Sequence, residues 1–234
     1  MESLGIFIGF RYYIFLKKKN GDPIESENRI WIIIAAMLGT VLGSRMLGAL
    51  ENIPAWIASP HPLQYFWGNK TMVGGFIGGL FAVEGVKKII GERRASGDLF
   101  VYPLLLAMIL GRIGCFSAGI YEEVYGFSSS LPWAMDLGDG IPRHPATLYE
   151  ILFLIVLWIS LRQVQKRHDL EQGALFKLLL IAYFTFRFLL DFIKPGWRYF
   201  LGLGSIQIAC LLMLVYYGRY LLRPSLLVRK AICV

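Results

Sequence analysis

An all-α polytopic membrane protein with seven transmembrane helices is the fold class this sequence predicts. Three observations carry it. Hydrophobic residues make up 56% of the 234 positions and charged residues 17%, against about 45 to 50% and about 25% in soluble domains. Seven apolar runs are separated by short polar connections. Lys and Arg are concentrated in alternate connections, as expected when basic loops are retained on the cytoplasmic side during insertion. Seven helices of roughly 20 residues use about 140 positions, so residues 1–234 read as one transmembrane domain with no room for a separate soluble catalytic unit.

In chain order the runs fall near 4–16, 30–50, 72–90, 99–118, 145–161, 174–192 and 199–222. The first has only 13 residues and carries Arg11, too short for roughly 30 Å of hydrocarbon at 1.5 Å per residue. Either the start is truncated or this helix is tilted and incomplete. An acidic residue before it and Lys17, Lys18 and Lys19 after it are the reverse of a cleavable signal peptide. Of the 24 Lys and Arg, sixteen fall in connections on one side, including Lys230 near the end; Lys70, Arg143, Lys194 and Arg198 fall on the other, and Arg11, Arg45, Arg112 and Arg187 inside the runs. The expected topology is N-terminus outside, C-terminus cytoplasmic. The +8 formal charge is then a topology signal, and a nucleic-acid partner is dropped.

Cys115, Cys210 and Cys233 lie in or beside apolar stretches without close pairing, which supports neither a disulfide framework nor a metal site. Gly39, Gly43 and Gly48 lie in the second run, and Gly74, Gly75, Gly78 and Gly79 open the third with overlapping small-xxx-small spacing; close helix packing is the reading we favour. The long connection 119–144, rich in Ser, Pro, Gly, Trp and acid, is placed to cover an outward-facing mouth.

Charge inside a bilayer costs at least about 2.5 to 3.5 kcal/mol per group on insertion scales, so an intramembrane ion is a functional candidate by default. Arg45, Arg112 and Arg187 each lie 13 to 15 residues from the cytoplasmic end of their run, roughly 20 Å in. Glu150, on a helix descending from outside, reaches a similar depth, and Asp191 follows Arg187 by one turn. Three arginines against two carboxylates leave one positive charge, which suits a monoanionic phosphodiester held by guanidinium forks. The competing reading is a structural network in which Arg187 pairs with Asp191. Tyr183, Arg187 and Asp191 recur every four residues and share one helix face. His144, between Pro142 and Pro145, is read equally as a proton-transfer group or a solvated cap, and Arg143 as a headgroup contact.

Gly111-Arg112-Ile113-Gly114-Cys115-Phe116, then Arg143-His144-Pro145-Ala146-Thr147-Leu148-Tyr149-Glu150, then Tyr183, Arg187 and Asp191 resemble in order and spacing the bacterial prolipoprotein diacylglyceryl transferases. The glycine-rich stretch 70–79 adds to the match. The resemblance implies a seven-helix, multi-pass enzyme of the bacterial plasma (inner) membrane that needs no cofactor. It moves diacylglyceryl from phosphatidylglycerol to the lipobox cysteine thiol in the signal peptide of a preprolipoprotein and releases glycerol phosphate. Arg112 and Arg187 match the family's headgroup arginines, and Tyr149, Glu150 and Tyr183 stand in matching positions. Catalytic roles are thereby expected of Arg112, Arg187, His144 and Glu150, and substrate contacts of Arg45, Arg143, Tyr149, Tyr183, Asp191, Gly114 and Cys115.

Val73, Cys115 and Ile120 stand where the family carries His, Asn and Glu, with Glu122 and Glu123 the nearest carboxylates to Ile120. Three consequences stay open: His144 takes the thiol proton, the substrate ionises unaided, or the chain is a paralogue that binds or transports phospholipid without catalysis. Cys115, one turn from Arg112, is read either as a covalent relay or, preferentially, as an inert small hydrophobe. A retinal photoreceptor is excluded, because no lysine occurs between Tyr199 and Leu222.

Overall fold

The computed structural model describes residues 2–122 and 125–229. Glu123, Lys230 and Cys233, and the side chain of Glu122, lie outside the described residues. Ten α-helices follow one another: α1 (Glu2–Asn20), α2 (Ser26–Ala49), α3 (Ile53–Ala58), α4 (Pro62–Gly68), α5 (Met72–Ile89), α6 (Val101–Ala118), α7 (Ala146–Arg167), α8 (Ala174–Leu190), α9 (Ser205–Tyr216) and α10 (Gly218–Leu222). Among the described residues, three stretches are long and apolar enough to cross a membrane: Ser26–Ala58, Asp98–Tyr121 and Ala146–Arg167.

Every apolar run contains helix, with three departures. The first helix is 19 residues long, because Lys17 to Lys19 are good helix formers and continue it past the apolar run; at 1.5 Å per residue it reaches about 28 Å. The last run becomes helical only at Ser205, where Gln207 Oε1 accepts from Gly204 N at 2.9 Å. The connection between the second and third runs holds two short helices, α3 and α4. Asn52 Oδ1 caps α3 by accepting from Ala55 N at 3.1 Å, and prolines occupy the first turn of both.

The glycines of α2 and α5 settle how these helices meet. A Cβ on Gly43 would lie 2.7 Å from Gly78 Cα, so the backbones touch where side chains would otherwise hold them apart. Thr71 fixes the start of α5: its Oγ1 accepts from Gly74 N and its own N–H donates to Ser44 on α2, both at 3.1 Å. Further contacts run from α1 to α6, α6 to α7, α7 to α8 and α8 to α9. The shared interior contains Val73, Leu105, Leu154, Leu179, Phe184 and Cys210.

Exposure is inverted relative to a soluble protein. Met37, Leu38 and Leu42 on α2, Leu152 and Val156 on α7, and Leu212 and Val215 on α9 face outward, whereas Glu150, Arg187, Asp191 and Gln207 are buried. An apolar belt of this extent marks a lipid-facing surface.

The ends away from the site are tied by ions. Arg29, 1% exposed, donates through Nε to Asp22 at 2.8 Å and through Nη1 to the Ser96 carbonyl at 2.9 Å. Asp98 accepts from Gly173 N at 2.6 Å and Phe176 N at 3.0 Å, satisfying amides at the start of α8 that have no partner within their own helix. Arg94 pairs with Glu92 at 2.8 Å and holds its carboxyl down at about 2.

Candidate active site

α6, α7 and α8 are long, regular and packed side by side, so each delivers one charged residue to a common depth. Arg112 comes from α6, Glu150 from the second turn of α7, and Tyr183 and Arg187 from one face of α8. They meet on the Glu150 carboxylate. Arg112 Nε lies 3.0 Å and Arg187 Nη1 3.5 Å from Oε2, and the Tyr183 hydroxyl donates to Oε1 at 3.0 Å. Glu150 is 2% exposed, Tyr183 0% and Arg187 5%.

One carboxylate cannot fill two guanidinium forks, which together carry ten N–H donors. Arg112 Nη2 turns to Met72 Sδ at 3.0 Å, a weak acceptor. The Nε of Arg187 is buried without a hydrogen-bond partner among the described residues, and that of Arg112 lies against Glu150 without hydrogen-bond geometry. Beside them is a small cavity lined by Arg112, Thr147, Glu150, Arg187, Leu190 and Lys194. The gap has no room for a water molecule as it stands, but unspent donors and surplus positive charge beside it would attract an anion once its walls part.

The other expected site residues divide. Asp191 is buried one turn beyond Arg187 but pairs with Arg198 at 3.1 Å, not with Arg187; the i to i+4 pairing expected from spacing is replaced by a partner from the α8–α9 connection. Arg45 is not brought to Glu150. It donates to the Asn69 carbonyl at 3.3 Å and lies over the Trp67 ring, 6.0 Å from its centroid, because α2 packs against α5 and α4 and not against α6 or α7. The shared level of three arginines thus reduces to two.

Arg143 is held on the connection between α6 and α7 by Asp139 at 2.7 Å and by the Tyr125 ring 4.8 Å away. His144 Nδ1 lies 3.2 Å from the Tyr149 hydroxyl, which also accepts from Trp133 Nε1 at 2.9 Å. Tyr149 immediately precedes Glu150 on α7, so His144 is hydrogen-bonded to the sequence neighbour of the carboxylate and not to the carboxylate itself. Gly114 and half-buried Cys115 follow Arg112 on α6.

The connection 119–144 folds over this end. A two-residue ribbon pairs Met135 with Arg143, Gly126 N donates to the His144 carbonyl at 3.0 Å, and Phe127 N to the Ile193 carbonyl at 2.8 Å. Lys194, Arg198, Gln207 and Trp133 are the residues sequence reasoning missed. Lys194 and Arg198 had been read only as loop charges; their distance from Asp191, three and seven residues, was the available signal.

A profile of prolipoprotein diacylglyceryl transferases matches residues 1–222. Relatives named phosphatidylglycerol--prolipoprotein diacylglyceryl transferase include one from Cupriavidus metallidurans, 30% identical over 87% of this chain and 73% of the relative. One from Nitratidesulfovibrio vulgaris is 32% identical over 83% and 76%, and one from Methylococcus capsulatus 33% identical over 85% and 79%.

Proposed function

The chain belongs to the prolipoprotein diacylglyceryl transferase family, and we propose that it transfers diacylglyceryl from phosphatidylglycerol to the lipobox cysteine of a preprolipoprotein signal peptide in the bacterial plasma membrane. The observation that carries the reading is the convergence of Arg112 and Arg187, from two helices, on one buried carboxylate beside a cavity. Seven spans with the N-terminus outside and the C-terminus cytoplasmic put that cavity in the outer half of the bilayer, where a phospholipid headgroup enters from the side.

The reaction forms one bond and breaks one. The cysteine sulfur attacks the glyceryl carbon bearing the phosphate, the carbon–oxygen bond breaks, and its electron pair leaves on the phosphate of glycerol phosphate. Arg112 and Arg187 bind the phosphate and stabilise the charge that grows on it, the step at which fixed donors contribute most. Glu150 keeps both guanidiniums at the correct depth before substrate arrives, and Tyr183 fixes the carboxylate. The thiol must lose its proton; His144, reached through Tyr149, is the acceptor in this scheme. Holding thiolate and carbon in line is a proximity effect that calls on no cofactor.

Val73 favours a second reading. It is 0% exposed, an apolar side chain in the core where the family carries an imidazole, and a phospholipid-binding paralogue without thiol chemistry follows from it. Purified protein incubated with phosphatidylglycerol and a lipobox peptide separates the two. A thioether-linked diacylglyceryl peptide is the expected product; lipid binding without that product selects the second reading.

A further inference from the structure

Lys194 follows the short turn Asp191–Ile193 that ends α8, and its side chain lines the cavity of Arg112 and Arg187. Its backbone is clamped. Arg198 Nη2 donates to the carbonyls of Asp191 at 2.6 Å and Lys194 at 2.9 Å, while Nη1 donates to Asp191 Oδ2 at 3.1 Å and to Gln207 Oε1 at 2.7 Å. Gln207 is fully buried on α9. One guanidinium thus joins the end of α8 to the start of α9, and it takes up the Asp191 charge that would otherwise neutralise the cavity.

Arg112, Arg187 and Lys194 face the wall carboxylate Glu150, and the half-buried Glu51 lies close enough to act on Lys194 and Arg187, which leaves an excess of one positive charge. The Lys194 ammonium has no hydrogen bond or ion pair among the described residues. A phosphodiester that is net anionic gains from the whole excess. A zwitterionic headgroup gains at its phosphate and loses at its ammonium, which would sit against three cations.

We infer that Lys194 is the headgroup-selecting residue of this cavity, a third cation presented by the Arg198 clamp that favours anionic over zwitterionic glycerophospholipids. The inference rests on the diacylglyceryl-transfer reading for its substrate class, and Arg198 acts in it as a positioning residue.

The test uses the full chain in phosphatidylcholine nanodiscs, with binding of phosphatidylglycerol and phosphatidylethanolamine read by native mass spectrometry and transfer to a lipobox peptide followed in parallel. Lys194→Met is expected to lower the preference for phosphatidylglycerol about tenfold and to raise its KM by a similar factor, with kcat within about twofold. Lys194→Arg recovers most of the preference. Arg198→Met reproduces the KM rise although Lys194 is intact. Unchanged preference in Lys194→Met, or a fall in kcat and melting temperature with no change in preference, overturns the inference. A wild-type protein that binds phosphatidylglycerol selectively, loses that selectivity in Lys194→Met and yet makes no thioether leaves the inference standing and removes the transfer reading.

Discussion

Arg112 and Glu150, contributed by adjacent helices, form a 3.0 Å ion pair whose carboxylate is also reached by Arg187 at 3.5 Å and by the Tyr183 hydroxyl at 3.0 Å. The carboxylate is therefore a hub, and its cations retain donors for a second anion. Losing a cation and losing the hub should differ in effect.

Arg112→Ala is expected to lower transfer by about 10²- to 10³-fold while the protein still inserts and purifies, since one donor to developing charge is removed. Arg112→Lys keeps charge but not the fork and should recover only part of the rate. Glu150→Gln leaves two guanidiniums facing each other without a counter-charge, so its main effect is on stability, about 3 to 5 kcal/mol for a broken buried pair. Turnover and thermal unfolding in detergent, measured on the same preparations, distinguish these outcomes.

The α2–α5 contact should be intolerant of bulk. Gly43→Leu needs the helices to separate, because even a Cβ would lie 2.7 Å from Gly78 Cα; overpacking of this kind costs about 1 to 3 kcal/mol or more. A melting temperature equal to wild type would show that these helices are free to move apart.

His144 and Tyr149 make a prediction about proton removal. His144→Gln should lower kcat by about 10²- to 10⁴-fold if the imidazole takes the thiol proton, with KM for phosphatidylglycerol little changed. Tyr149→Phe removes the hydroxyl shared by His144 and Trp133 and should lower kcat by a smaller factor without abolishing transfer. An unaltered kcat in both variants would mean that the thiol ionises by another route.

Lipid affinity should weaken in mild alkali. Burial, with Arg187 and Arg112 nearby, pulls Lys194 down to about 8, against the opposing influence of Glu51 and Glu150. A cation lowered in this way is charged below about pH 8 and loses its charge above it. KM for phosphatidylglycerol should therefore be flat near neutrality and rise above pH 8 towards the about tenfold increase expected of Lys194→Met, one proton being linked to binding. Lys194→Arg should remove the rise, because guanidinium keeps its proton throughout.

Much of this was legible in the residues alone. The helical runs follow from apolar length, and the meeting of Arg112 and Arg187 with Glu150 follows from depth, since charge in hydrocarbon must meet charge; that Tyr183 also reaches the carboxylate does not. Glycine spacing announced close packing for α2 and α5 without naming the partner of either. What one-dimensional depth does not contain is azimuth. Arg45 lies at the right level on a helix that faces α5 and α4, so it serves Asn69 and Trp67 instead of the carboxylate. Asp191 has the spacing to pair with Arg187, but the turn after α8 brings Arg198 closer.

The amino-acid sequence by itself determined which segments are helical and which charges had to be buried, because both depend on local composition measured against water and lipid. Only the tertiary structure decided which charges share a cavity. That choice depends on the rotation of each helix about its axis and on the path of the α8–α9 connection, which are set by packing between segments far apart in the chain. Lys194 shows the difference: a loop lysine by sequence, it becomes a wall of the site because Arg198 and Gln207 hold its backbone there.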